Sequence, residues 1–407
     1  MRPLRDRSTF ALGLSMTPAA RVQAAIELLD QIIEAARAKG APADRLIADY
    51  FRARRYAGSK DRRAVRELVY SAIRLCGPTP NSGRAAMLAL AAKDKAIAPL
   101  FDGSPHGPAA IGEDEKPANT GIAPSWLAAR ITASGLKGAD AWALLERAPL
   151  DIRVNALKAD RGSITLPEPG EPLAAPQGLR FPSGTQVEQW DAFREGLIEI
   201  QDHGSQWVCA ALNPQPGEVI VDLCAGAGGK TLALAAATGN AASLIACDTD
   251  KRRLGNLAPR AARAGAQVDH TVLLDPGREA EALAPWLGKA DRVLVDAPCS
   301  GTGTWRRNPE GRWRLDRGEL ERLTKLQDHV LDIGASLVRP GGVLAFITCS
   351  VLDEEGADRI AAFLDRHQGW QAEIVDIPLG RPRGAGMRLT PHHDDTDGFF
   401  VAILRSA

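Results

Sequence analysis

Between Thr17-Pro18 and Gly40, Val22, Ile26, Leu29, Ile32, Ile33 and Ala36 recur at three- and four-residue spacing, which predicts an amphipathic helix with one buried face. The same period returns from Ser59 to Gly77, where Val65, Leu68, Val69, Ala72, Ile73 and Cys76 form a stripe and "KDRRAVRE" supplies the charged face. Further helical patterns cover residues 84–100, 124–134 and 139–148 with no strand pattern among them, so residues 1–148 are expected to form an all-helical domain. The texture then changes: "DIRVNAL" alternates like a strand, and prolines 167, 169, 172, 176 and 182 break any long element. Residues 149–203 are expected to be a small α/β connector subdomain. From 204 to 407 the apolar runs "EVIVDL", "SLIACD", "RVLVDA" and "GVLAFITC" alternate with segments of helical length. That order predicts a Rossmann-like parallel α/β domain with ligands at the carboxyl ends of its strands.

Composition changes this picture little. With 407 residues, 45% apolar and 25% charged, the chain can bury a sizeable core in two or three domains. Lys plus Arg (50) balance Asp plus Glu (50), so any nucleic-acid binding has to come from local basic clusters. Cysteines 76, 209, 224, 247, 299 and 349 are widely spaced with no CxxC pair, and only the adjacent His392 and His393 approach ligand spacing, so no metal site is expected. Scattered free thiols suit a reducing compartment, hence a cytoplasmic protein. "MRPLRDRSTFALGLSMTPAAR" imitates a signal peptide, but its apolar part is at minimum length, and no later run of 18 apolar residues would span a membrane.

The first strand of the α/β region runs into "DLCAGAGGKT", residues 222–231. Glycines after a strand let a ligand approach the backbone, and the next helix offers free N–H groups. Three ligand classes compete for such a loop. A dinucleotide site begins correctly with Gly226-x-Gly228 but meets Thr231 where its third glycine should stand, and a P-loop NTPase ends correctly at Gly229-Lys230-Thr231 but has Cys224 at its first glycine. An S-adenosyl-L-methionine pocket needs a glycine turn and an acid at the end of the next strand for the ribose, and Asp248 stands 22 positions after Gly226. Lys230 either faces solvent at the helix start or stands as a catalytic charge close to the target base or the cofactor carboxylate, and the second is favoured because a lysine opposing the helix dipole calls for a compensating anion.

Two further strand ends carry thiols: "VLVDAPCSG" gives Asp296 and Cys299, and "FITCS" gives Cys349. Each alone is as well explained as a small buried residue, but in a doubly wound sheet both open into the crevice of the glycine loop. A thiol, a carboxylate and a methyl donor suit methylation at carbon 5 of a pyrimidine. Thiolate addition at carbon 6 makes carbon 5 nucleophilic, and a carboxyl group on ring nitrogen 3 and the exocyclic amine stabilises the adduct.

"DLCAGAGGKT", "ACDTDKRRL", "VDAPCSGTGTWRRNPE", "ITCSVLDEEG" and "DGFFVAIL" resemble, in order, the motifs of the RsmB/Sun (Fmu) type RNA cytosine carbon-5 methyltransferases. "RVNALK" and "IQDHGSQ" resemble that family too, and the N-terminal helices resemble its NusB-like RNA-binding domain. The resemblance implies a class I S-adenosyl-L-methionine-dependent methyltransferase domain, with Cys349 as nucleophile, Cys299 helping product release and Asp296 orienting the base. It also implies cofactor contacts from Cys224, Ala225, Gly226, Ala227, Gly228, Gly229 and Lys230, with Asp248 on the ribose, Asp275 near the adenine, and Asp296 beside them. The implied partner is RNA, with 16S ribosomal RNA as target and tRNA as the alternative, for a monomeric enzyme. A P-loop NTPase and a non-catalytic RNA-binding assembly protein are the readings from other classes. Arg306, Arg307, Arg312 and Arg314 around Trp313 are expected to meet phosphates and stack on bases. Arg52, Arg54, Arg55, Lys60, Arg62 and Arg63 form a second basic surface for RNA.

Overall fold

The computed structural model describes residues 15–407, so the signal-like N-terminal stretch lies largely outside the described residues. The chain divides into two compact units, one running to Ala128 and including Asn308–Arg314, the other made of Ala129–Arg307 and Leu315–Ala407.

In the first unit, Thr17 caps the helix Pro18–Arg37 by accepting the Ala20 N–H, and Val22, Ile26, Leu29, Ile32, Ile33 and Ala36 are buried as their spacing requires. Helices Ser59–Leu75 and Gly83–Lys93 complete the expected set. A further helix, Ala43–Ala53, buries Ala43, Ile47, Tyr50 and Phe51. The periodicity reading passes over it because so short an apolar stripe is interrupted by Asp44, Arg45, Asp49 and Arg52. The expected helical domain ends at 148, whereas this unit closes at Ala128 within the helix Ser125–Ala133. Beyond that point Arg130 pairs with Glu354 and the Ser134 hydroxyl accepts the Asp353 N–H, which ties these residues to the α/β unit. The pattern at 139–148 yields only the short helix Ala139–Ala143.

The second unit contains two sheets. In the smaller, β1 (Leu150–Val154) lies between β3 (Gly178–Phe181) and β4 (Ile198–Ile200), and β2 (Glu171–Pro172) borders β3, all antiparallel. Ile152, Val154, Leu179, Phe181, Val187, Trp190 and Ile198 give it a core of its own.

The larger sheet contains β5 (Val219–Asp222), β6 (Ser243–Asp248), β7 (His270–Leu273), β8 (Ala290–Asp296), β9 (Val338–Thr348), β10 (Trp370–Glu373), β11 (Arg381–Arg383), β12 (Gly386–Leu389) and β13 (Phe399–Ser406). Its order is β11-β12-β13-β9-β8-β5-β6-β7, with β10 on β13; β7, β6, β5, β8 and β9 run parallel and β13 antiparallel to β9. Both faces are covered, which is why the strands read as continuous apolar runs. Val293, Val295, Leu344 and Phe346 enter one core, and Leu294, Val343, Ala345 and Ile347 the other. The strand order reverses between β5 and β8, so the loops after them open into one crevice. This is the expected Rossmann-like fold.

Candidate active site

The turn after β5 is shaped by two glycines in left-handed conformations, Gly226 at φ 56° and Gly228 at φ 85°. A β-carbon on Gly228 would stand 2.1 Å from Leu257 Cδ1, whereas one on Gly229 would meet nothing within 4 Å, leaving open space at the start of the helix Gly229–Ala237. The Ala225 N–H donates to the Cys247 carbonyl, and Arg260 Nη1 holds the Ala227 carbonyl at 2.8 Å. Asp248, at the end of β6, is buried with Oδ2 accepting the Gly226 N–H and Oδ1 the Asp250 N–H, both at 2.7 Å. Its carboxylate therefore lies against the glycine turn. Cys224 packs against the sheet core, and burial raises its thiol pKa. Asp275 follows β7 at the same carboxyl edge with its side chain exposed, and its backbone carbonyl accepts the Arg278 N–H.

Lys230 finds its anion in Asp296: Nζ lies 2.5 Å from Oδ2. Burial opposes the ammonium charge, but the adjacent carboxylate more than offsets it, so the group holds its proton above the ordinary lysine range. Below this pair lies Asp222, fully buried, with Oδ2 accepting the Thr231 hydroxyl at 2.7 Å and Oδ1 unpartnered. Burial, reinforced by the charge of Asp296, pushes Asp222 up to about 7.

This arrangement disfavours the P-loop reading. The threonine hydroxyl faces the sheet interior, the lysine is committed to a carboxylate, and Asp248 puts negative charge where a triphosphate would lie.

The two thiols predicted to converge do so: Cys299 Sγ and Cys349 Sγ are 3.3 Å apart. The hydrogen bond with Cys349 and burial raise Cys299 well above the ordinary thiol range, so it is held protonated. The register that brings them together continues beyond the strands. The Ala297 N–H donates to the Ile347 carbonyl, and the Gly303 N–H to the Cys349 carbonyl. Thr302 Oγ1 lies 2.9 Å from Ser350 Oγ and accepts the Val351 N–H.

Glu355 joins the two loops and was invisible to sequence reasoning. It is fully buried, with Oε1 accepting from the Ser300 N–H at 2.8 Å and Gln327 Nε2 at 3.0 Å, and Oε2 accepting the Ser300 hydroxyl. In "VLDEEG" it reads as one of three surface acids, and only the fold singles it out.

The basic turn corrects an expectation. Arg306 is buried and donates to the Thr396 carbonyl and Asp395, while Arg307 pairs with Asp397 and Asp202. In the first unit Arg312 and Trp313 are buried: Arg312 donates to the carbonyls of Pro309, Ile73 and Cys76, and Trp313 Nε1 to that of Cys76. Arg314 donates to the carbonyls of Gly40 and Ala41. Arg306, Arg312 and Trp313, committed to partners within a core, are not presented to phosphates or bases, whereas Arg307 and Arg314 are only partly buried. On the second basic stretch, Arg52 pairs with Asp49 and Arg54 stacks over Tyr50, while Arg55, Lys60 and Arg63 are exposed. The adjacent histidines meet Asp140, with His393 Nε2 2.9 Å from Oδ1, but Arg381 Nη1 already occupies that nitrogen at 2.7 Å.

Known proteins are similar to this chain in sequence and fold. The family model for the 16S rRNA methyltransferase RsmB/F matches residues 209–405. A probable ribosomal RNA small subunit methyltransferase B from Synechocystis is 37% identical over 273 residues, covering 63% of this chain and 60% of that protein. The ribosomal RNA small subunit methyltransferase B of Citrobacter koseri is 38% identical over 292 residues, covering 69% of this chain and 66% of its own length. The chain thus spans less than two thirds of these relatives. The crystal structure of PH0851 superposes with a TM-score of 0.72 over 96% of this chain and 99% of that one, at 25% identity. A methyltransferase homolog from Pyrococcus horikoshii gives 0.59 over 70% of this chain and 96% of its own, at 26% identity. With its ordered motifs, strand order and converging thiols, the chain is similar to the RsmB/F methyltransferase family over residues 209–405.

Proposed function

We propose that this protein is an S-adenosyl-L-methionine-dependent RNA methyltransferase that forms 5-methylcytosine in small-subunit ribosomal RNA. The observation that carries the reading is the placement of Cys349, Cys299, Asp296 and Lys230 at the ends of β8 and β9 and the start of the helix after β5. The residues present fit the cofactor: open space at Gly229 admits it, and Asp248 stands at the strand end where ribose hydroxyls would be held. When bound, S-adenosyl-L-methionine supplies an electrophilic methyl group. Asp275, exposed beyond β7, is assigned the adenine edge.

In this reading Cys349 attacks carbon 6 of a flipped cytosine, forming the carbon–sulfur bond. Asp296 accepts the exocyclic amine, and the proton it shares with Lys230 passes toward ring nitrogen 3 as charge builds there. Carbon 5, now nucleophilic, takes the methyl group. The carbon 5 proton is then lost to solvent as the carbon–sulfur bond breaks, ring nitrogen 3 returns its proton to the Lys230–Asp296 pair, and the departing Cys349 thiolate is stabilised by the Cys299 S–H. The same hydrogen bond thus serves attack and release.

The test is methyl-labelled donor with RNA from an unmethylated source, followed by mapping of the labelled base. Label at carbon 5 of a small-subunit cytosine supports the reading; label confined to tRNA would change the substrate, and saturable ATP binding without methyl-donor binding would overturn it. A Cys299→Ala protein should accumulate an RNA adduct stable on denaturing gels. Its absence would remove Cys299 from the release step.

A further inference from the structure

The second unit contains a cavity of about 330 Å³ whose walls include Ala156, Ala175, Pro176, Trp207, Pro214 and Leu234, a volume suited to a small ligand. It is lined by none of Cys224–Lys230, Asp296, Cys299 or Cys349, so it is not the methylation crevice. One cation lines this apolar chamber: Arg153, only 7% exposed. Its Nε donates to Gln201 Oε1 at 2.7 Å, and its two terminal nitrogens meet no acceptor among the described residues.

The natural counter-ion is taken. Glu199 faces Arg153 across the β1–β4 pair, but its two oxygens accept from Arg263 and Arg260. Both oxygens of that carboxylate are therefore held by two other guanidinium groups. Burial lowers the pKa of Arg153, as expected of a charge without its own partner. The side-chain carbonyl of Gln177, in the same lining, is also buried without a hydrogen-bond donor. An uncompensated buried charge is costly, and a ligand carrying the opposite charge removes the cost.

We propose that this cavity binds a small organic carboxylate with a compact apolar body, its carboxylate on the free guanidinium edge of Arg153 and an N–H or O–H group on the Gln177 carbonyl. Paired N–H donors in a fixed plane match a carboxylate in particular. The alanine and proline walls match the apolar body rather than a ribose or a hydrated sugar.

The experiment is isothermal titration of the full chain with indole-2-carboxylate and, separately, with neutral indole-2-carboxamide. The carboxylate should bind with one-to-one stoichiometry and the amide at least about tenfold more weakly, and the discrimination should vanish in Arg153→Met. No binding of the carboxylate to wild type, or equal binding to a folded Arg153→Met protein, overturns the proposal. Should Arg153→Met fail to fold, Ala210→Phe narrows the cavity from an exposed position and should abolish binding; undiminished affinity would place the ligand elsewhere and overturn the assignment. Cys349→Ala should bind the carboxylate like wild type, so this test stands or falls independently of the methylation chemistry.

Discussion

Lys230 and Arg312 are cations that each directly follow a glycine and are largely shielded from solvent, and they do opposite things. Lys230 faces Asp296 at a strand end, and its charge is reinforced. Arg312 lies in the core of the helical unit with only backbone carbonyls as hydrogen-bond partners, and burial drives its pKa down to about 9. It remains protonated near neutral pH, but as a multi-pronged donor that satisfies carbonyls around residues 73–76. The difference teaches that a buried cation becomes chemical when its partner is a titratable carboxylate open to a crevice. When its partners are carbonyls it is structural.

The largest effect separating these roles is expected from Cys349→Ala, which should lower methyl transfer by roughly 10³-fold or more while leaving the unfolding curve in place. Full activity would remove Cys349 as nucleophile. Arg312→Met should instead cost about 3 kcal/mol, because three carbonyls lose their donor; urea unfolding followed by circular dichroism reads this, and an unchanged midpoint would show that the Arg312 guanidinium is dispensable for stability. Lys230→Met should lower kcat by about 10²-fold with a much smaller change in stability. A loss seen in stability alone would make it a structural residue like Arg312.

Asp222 sharpens the comparison from the acid side. Its folded-state pKa of about 7 lies above its ordinary value of 3.8, so the stability gained by holding its proton is complete below the lower value and is lost as pH rises toward the higher one. Asp222→Asn should therefore gain about 2 kcal/mol on wild type between about pH 5.5 and about pH 8. A pH-independent difference between their urea midpoints would sink this. The smallest effect belongs to the exposed basic stretch: Arg63→Ala should weaken RNA binding about threefold and reduce the salt slope by about 1. An unchanged slope would assign that surface to solubility.

Much of the fold was legible because it is written in periodicity. The stripe from Val22 to Ala36 and the runs at β5, β6, β8 and β9 are buried as their spacing demands. The helix Ala43–Ala53 was missed, and the limit at 148 was placed too late, because tertiary bonds from Arg130 and Ser134 assign that segment, not its helical pattern. In the candidate site, the glycine turn, Asp248 and both thiols were readable from their places at strand ends. Glu355 was not, since nothing in a run of three acids says which one turns inward.

The sequence by itself determined the elements, the order of the chemical groups and the presence of two thiols at strand ends, because helix and strand periods and turn residues are local. Tertiary structure alone decided the partners: that Cys299 and Cys349 lie 3.3 Å apart, that Lys230 belongs to Asp296, and that Arg306 and Arg312 of the basic turn are buried. Partnership depends on strand order and register, which join residues tens of positions apart and leave no periodic trace in the chain.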